Sequence, residues 1–240
     1  MELIIFDKDG VLLDLSQTWL PVALDITYLL SELTEHEVSA SIFQDIIGID
    51  EETRQIDPDG LFAAGSFLDQ QAACAELAPI LRDHFTTDSY HEKIQAIVDK
   101  NALRPPAPLG AVTATLDKLR ADGYRLAVLT NDSEKSAMRS LTRMSLVSYF
   151  EMIVGYDSGF GGKPDPTGFH AICDHCHVSP DKTIMIGDTS ADRNVAQAAG
   201  AGLFVGISAS YPESTKALDG AKHLLPNING LPDLLESVKG

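Results

Sequence analysis

Four short polar blocks each follow an apolar run. Asp7-Lys8-Asp9-Gly10 follows Leu3–Phe6 (LIIF), and Thr130-Asn131 closes Arg125–Thr130 (RLAVLT). Gly162-Lys163-Pro164-Asp165 comes shortly after Met152–Val154, and Gly187-Asp188-Thr189-Ser190-Ala191-Asp192 follows Thr183–Ile186. Two carboxylates two residues apart can do different work. One attacks as a nucleophile or binds a metal, and the other, angled away by the turn, trades a proton. Gly10, directly after Asp9, permits the tight turn. Taken alone, Asp7-Lys8-Asp9-Gly10 also reads as an Asp-rich turn with a helix cap. The other three blocks give it support: Thr130 and Asn131 bring a hydroxyl and an amide, Lys163 a fixed positive charge, and Asp188 and Asp192 two further carboxylates at a helix start.

These side chains act together only if the elements before them share one sheet. The five apolar runs, Leu203–Ile207 included, are short and apolar on both faces, as buried parallel strands are. Helical patterns over Ala111–Ala121 and Ala191–Ala199 lie between them and stop at Gly123 and Gly200. Strands alternating with helices predict an α/β sheet with right-handed crossovers. Strand ends along one edge of such a sheet converge. The expected site therefore holds Asp7, Asp9, Thr130, Asn131, Lys163, Asp188 and Asp192. Several carboxylates, one ammonium and polar phosphate-type ligands make a Mg²⁺ site. They also make a phosphoryl-transfer site, because the metal screens carboxylate from phosphate.

Residues 15–101 show a different pattern. Trp19, Leu20, Ala23, Leu24, Tyr28 and Leu30 recur with helical period, and helical stretches are predicted over Phe67–Leu81 and His91–Lys100. Asp57-Pro58-Asp59-Gly60 is a turn signal, and Arg104-Pro105-Pro106-Ala107-Pro108 is a stiff linker. The predicted domains are an α/β catalytic core from 1–14 and 102–240 and a helical insertion from 15–101.

The four blocks, in this order, resemble the haloacid dehalogenase-like hydrolase superfamily: D-x-D-G, T-N, K-P, then G-D-x-x-x-D. The resemblance spans essentially the whole chain. It is greatest with the phosphoglycolate phosphatase and β-phosphoglucomutase branch. It implies a Rossmann-like parallel sheet with a helical C1 cap inserted after the first strand. It also implies a Mg²⁺-dependent phosphatase acting on a small phosphorylated metabolite, phosphoglycolate-like, through an aspartyl-phosphate. On that resemblance Asp7 attacks phosphorus and ligates Mg²⁺, and Asp9 protonates the leaving oxygen, activates water and ligates Mg²⁺ through its carbonyl. Thr130 and the Asn131 backbone bind phosphoryl oxygens, Lys163 orients Asp7 and balances charge, Asp188 ligates Mg²⁺, and Asp192 supports the metal from behind. Val11 comes after Gly10, where many phosphatases of the family have Thr and many mutases Val, so a β-phosphoglucomutase-like mutase is the alternative. A receiver-type signalling domain phosphorylated on Asp is more distant, since the order of its groups differs and it lacks the large insertion. A dehalogenase has no need of Asp9 as a proton donor. A phosphonatase needs a cap lysine, and no lysine lies between Lys8 and Lys93.

The charge balance agrees. Lys and Arg number 18 against 35 Asp and Glu, a net of −17, which disfavours nucleic acid and anionic membranes as partners. The excess is concentrated between residues 15 and 92, where fifteen acidic residues face only Arg54 and Arg82. Arg54 is thus the first choice to meet a second anionic group on a substrate. Three cysteines, no basic start with an apolar run and no span of about 18–20 apolar residues point to a cytoplasmic protein. Cys173-Asp174-His175-Cys176-His177, with His170 nearby, imitates a zinc or redox motif. It has no second pair, and the expectation is an ordinary helix with His170, Cys173 and His177 on one stripe and the cysteines in the core. Cys74 is expected to be buried in the insertion, Trp19 to be a packing residue, and Lys8 to be solvated, facing the insertion or guiding anions.

Overall fold

The computed structural model describes residues 1–57, 59–101, 106–208, 218 and 220–239. It divides into two compact units, Met1–Asp14 with Ala107–Gly240, and Leu15–Pro106. Pro58 of the expected turn, and Arg104 and Pro105 of the expected linker, lie outside the described residues.

In the first unit, strands β1 (Leu3–Phe6), β2 (Arg125–Leu129), β3 (Ile153–Val154), β4 (Thr183–Gly187), β5 (Leu203–Ile207) and β6 (His223–Leu225) form one sheet in the order β3-β2-β1-β4-β5-β6. Every neighbouring pair is parallel. β1 is central, and all four of its residues are fully buried. Its side chains alternate between two cores. Ile4 and Phe6 meet Leu116 and Leu119 of α7 (Val112–Ala121), Leu141 of α8 (Glu134–Arg143) and Leu235 of α11 (Leu231–Lys239). Leu3 and Ile5 meet Phe169 and Ile172 of α9 (Thr167–His175) and Val195 and Ala199 of α10 (Ser190–Ala199). A sheet covered on both faces explains why its strands read as unbroken apolar runs. Gly200 ends α10 in the left-handed conformation, as its type suggests.

Among its described residues the second unit holds six helices: α1 (Leu15–Leu33), α2 (Ala40–Ile47), α3 (Leu61–Ala64), α4 (Phe67–Leu77), α5 (Leu81–Phe85) and α6 (Asp88–Asn101). Leu20, Ala23, Leu24 and Leu30 of α1 are buried as the periodicity predicts. Tyr28 is exposed, and its hydroxyl donates to Glu51 Oε2 at 2.6 Å. The single helix expected over Phe67–Leu81 is two, because Pro79 has no amide to continue the ladder. Cys74 is buried. Arg54 is exposed, with φ 57°, in a turn closed by the Asp50 amide on the Gln55 carbonyl at 2.9 Å. Among the described residues no helix is long and apolar enough to cross a membrane.

The Cys/His stripe is corrected by the structure. α9 stops at His175, and His177 has φ 52°, so His170, Cys173 and His177 do not share a helix face. Cys173 and Cys176 are buried in the apolar core with Phe169 and Ile172.

Candidate active site

Register fixes the edge where the polar blocks meet. Phe6 pairs with Val128 on one side and Ile186 on the other, so Asp7, Thr130 and Asp188 emerge from adjacent strand ends. The Asp7 amide donates to the Ile186 carbonyl at 2.8 Å, and the Thr130 amide to the Val154 carbonyl at 2.9 Å. Chain order reverses between β1 and β4, the place where open α/β sheets bind ligands.

One charged cluster centres on Lys163. Its Nζ lies 2.8 Å from Asp7 Oδ1 and 2.6 Å from Asp192 Oδ1. The carboxylates of Asp7, Asp188 and Asp192 fall within 4.8 Å of one another. Asn131 clasps the lysine backbone, its Nδ2 donating to the Lys163 carbonyl at 3.0 Å and its Oδ1 accepting the Lys163 amide at 2.7 Å. Asp192 is committed on both oxygens, because Oδ2 accepts the Thr189 hydroxyl at 2.7 Å and the amides of Thr189 and Asp188. Thr189 caps α10 reciprocally, so the helix start holds Asp192 rigidly. Asp188 differs: it is fully buried, and neither oxygen accepts a hydrogen bond.

Gly10 explains why the first block ends in glycine. Its φ is 80°, and a Cβ there would lie 1.8 Å from Asp188 Oδ2. The glycine therefore provides close approach as well as a turn.

The electrostatics stem from burial. Desolvation pushes the Asp7 carboxyl up to about 7, against the pull of Lys163. Desolvation also raises Asp188 well above the usual carboxylate range, and the charges of Asp7 and Asp192 add to it. Burial works against the Lys163 ammonium, yet Asp192 and Asp7 more than reverse this and hold its pKa high. One lysine thus faces three carboxylates in a dry place. Two Asp188 oxygens without donors, beside Asp7, suit a hard divalent cation. Asp192 has both oxygens occupied already, by Lys163 and by the start of α10.

A second cluster was not legible as such in the sequence. Lys8 is fully buried, and its ammonium makes a short ion pair with Asp9 and lies 3.1 Å from Asp132 Oδ2. This corrects the expectation of a solvated side chain: two carboxylates pair with the ammonium in a fully buried place. The Asp9 carboxylate stands with Lys8 rather than in the Lys163 cluster. Asp132 is the missed residue. It comes directly after Thr130-Asn131, and an acid at that strand end opposite Lys8 was the available signal. Desolvation raises the Asp132 carboxyl, opposed by Lys8. Thr130 is buried, and its hydroxyl oxygen accepts the Asp132 amide at 3.1 Å.

A parallel sheet in this order, with buried acids and a lysine at its switch point, defines a Rossmann-like α/β protein whose chemistry lies at the strand ends. The chain belongs to the haloacid dehalogenase-like hydrolase family, whose model matches residues 4–205. It is 28% identical over 200 residues to a phosphoglycolate phosphatase of Aquifex aeolicus, covering 83% of this chain and 82% of that protein. The fold is shared with the crystal structure of a predicted phosphoglycolate phosphatase from Haemophilus somnus, at TM-score 0.72 and 21% identity over 98% of both chains. It is also shared with a β-phosphoglucomutase from Clostridium difficile, at TM-score 0.67 and 17% identity, covering 100% of this chain and 97% of that one.

Proposed function

We propose that this enzyme, a phosphatase of the haloacid dehalogenase-like family, hydrolyses a small phosphorylated metabolite of the phosphoglycolate type through an aspartyl-phosphate on Asp7, with Mg²⁺ as cofactor. The observation that carries this reading is Asp7 held at 2.8 Å by Lys163 beside the bare carboxylate of Asp188. Asp7 and Asp188 would hold the ion through side chains and Asp9 through its carbonyl. When bound, the ion supplies the positive charge that lets a phosphoryl group approach the carboxylates.

The chain's own residues do the rest. Lys163 keeps one Asp7 oxygen in place, and the Asp7 carboxylate attacks phosphorus. The ester P–O bond breaks, and the leaving oxygen takes a proton from Asp9. Water then attacks the phosphorus and gives its proton to Asp9. The bond between Asp7 and phosphorus breaks, and inorganic phosphate leaves. Thr130 and the Asn131 backbone receive the phosphoryl oxygens at the β2 end. A transition state of this kind needs mainly positioning and charge neutralisation. The helical unit Leu15–Pro106 serves as the cap that selects the substrate, with Arg54 meeting a second anionic group. Three unpaired cysteines favour a cytoplasmic place of work.

The mutase alternative rests on Val11 after Gly10. Rapid quench with a panel of ³²P-labelled metabolites decides between the two. The phosphatase reading expects labelled protein in the wild type, none in Asp7→Asn, and free phosphate as the product. Transfer of label to a second hydroxyl of the same sugar without phosphate release establishes the mutase instead.

A further inference from the structure

We propose that Lys8 is a positioning residue for the proton-transfer step: anchored by Asp132, its ammonium sets where the Asp9 carboxylate stands. The inference rests on Asp9 being the acid–base group of the proposed reaction.

Lys8 is fully enclosed, so its charge cannot be carried out to water. Asp132 is fastened to the end of β2. Its amide donates to Thr130 Oγ1 at 3.1 Å, and its Oδ1 accepts the Ser133 amide at 2.7 Å. The Lys8–Asp132 pair, at 3.1 Å, is therefore a strut between the ends of two neighbouring strands. Asp9 is its third member, and its side chain is 17% exposed. A partly exposed carboxylate can turn toward an incoming ester while an enclosed ammonium stays. When Asp9 turns away, Asp132 keeps Lys8 paired, and no unpartnered buried charge is left. Without Lys8, the Asp9 carboxylate loses the ammonium it is paired with, and where Asp132 is kept it also faces a like charge. Lys163 has no part in this, because its contacts are with Asp7 and Asp192.

The test separates placement of a proton donor from general packing. The leaving oxygen of phenyl phosphate needs a proton, whereas that of 2,4-dinitrophenyl phosphate departs without one. Both are used as single-turnover probes on the full-length protein with Mg²⁺. In Lys8→Met, phenol release should fall roughly 100-fold, the cost of a misplaced catalytic group. The burst of dinitrophenolate should keep its wild-type rate. Asp132→Asn should show the same split, and Lys8→Arg should recover part of the phenol release. Because a single change leaves a buried charge alone, the double variant Lys8→Met/Asp132→Asn is measured as well, and it should fold and show the split. Equal falls with both esters in the folded double variant would overturn the proposal and make Lys8 structural. Unchanged phenol release would make it a filler. Asp7→Asn is the separate control: if it keeps the burst, the aspartyl-phosphate reading fails first, and the role of Lys8 fails with it.

Discussion

Gly10→Ala tests how the first block shapes the proposed metal site. The new Cβ would sit 1.8 Å from Asp188 Oδ2, and ordinary contact begins near 3.4 Å, so the oxygen must retreat by about 1.6 Å. The retreat breaks no hydrogen bond, since neither Asp188 oxygen accepts one. The stability cost is therefore mostly backbone, because an alanine at φ 80° costs about 1–2 kcal/mol. In a chain of this size that lowers Tm by only a few degrees, at about 2–4 °C per kcal/mol. The functional cost is larger. A ligand displaced by more than an ångström should weaken Mg²⁺ binding about 10- to 100-fold, the range seen when a ligand's orientation is lost. The assay is a Mg²⁺ titration of phosphate release beside a thermal melt. A folded Gly10→Ala enzyme with unchanged Mg²⁺ dependence would refute the argument that glycine is present to let Asp188 approach. A melt lowered by tens of degrees would refute the division between backbone strain and a yielding side chain.

Adding Mg²⁺ to chelator-treated protein should raise its melting temperature, since about 2.7 kcal/mol is gained at a hundredfold excess over Kd; an unmoved melt would remove the ion from the site. Arg54→Ala should raise KM about tenfold or more for a substrate with a second anionic group and leave simple aryl phosphates unchanged; the paired KM values check this, on the scale of a charge-assisted hydrogen bond. Burial pushes the Cys74 thiol up to about 11 and raises Cys173 and Cys176, so fewer thiolates exist at neutral pH than for free cysteine. A disulfide thiol reagent should accordingly label none of the three rapidly until urea unfolds the protein.

Much of this was legible because strand ends carry their chemistry beside them. β1 and β5 match the apolar runs residue for residue, and β2, β3 and β4 differ from theirs by one residue at an end. Asp7, Lys163, Asp188 and Asp192 converge because register, which the sequence does not print, aligns those ends. What was missed has physical reasons. β6 is an edge strand of three residues, too short to show a period. α8 is mostly polar, so its few apolar positions hide the helix. Asp132 was overlooked because an acid in a loop looks solvated until its partner is known, and its partner Lys8 is 124 positions away. His177 was placed on a helix that hydrophobic pattern alone extends too far.

The position of β1 in the sheet has a consequence for how the chain is made. Leu3 pairs with Arg125 on one side and Thr183 on the other, so this central strand is made before either of its partners. Between synthesis and seating, an apolar segment must wait for partners more than a hundred residues downstream. The helices of Leu15–Pro106 form a compact unit in the interval, closing on local contacts that form fast. The sheet closes only once β4 has appeared. Assembly of the catalytic edge is then the slow and aggregation-exposed stage of biogenesis, and Asp7 meets Lys163 and Asp188 only when it is finished.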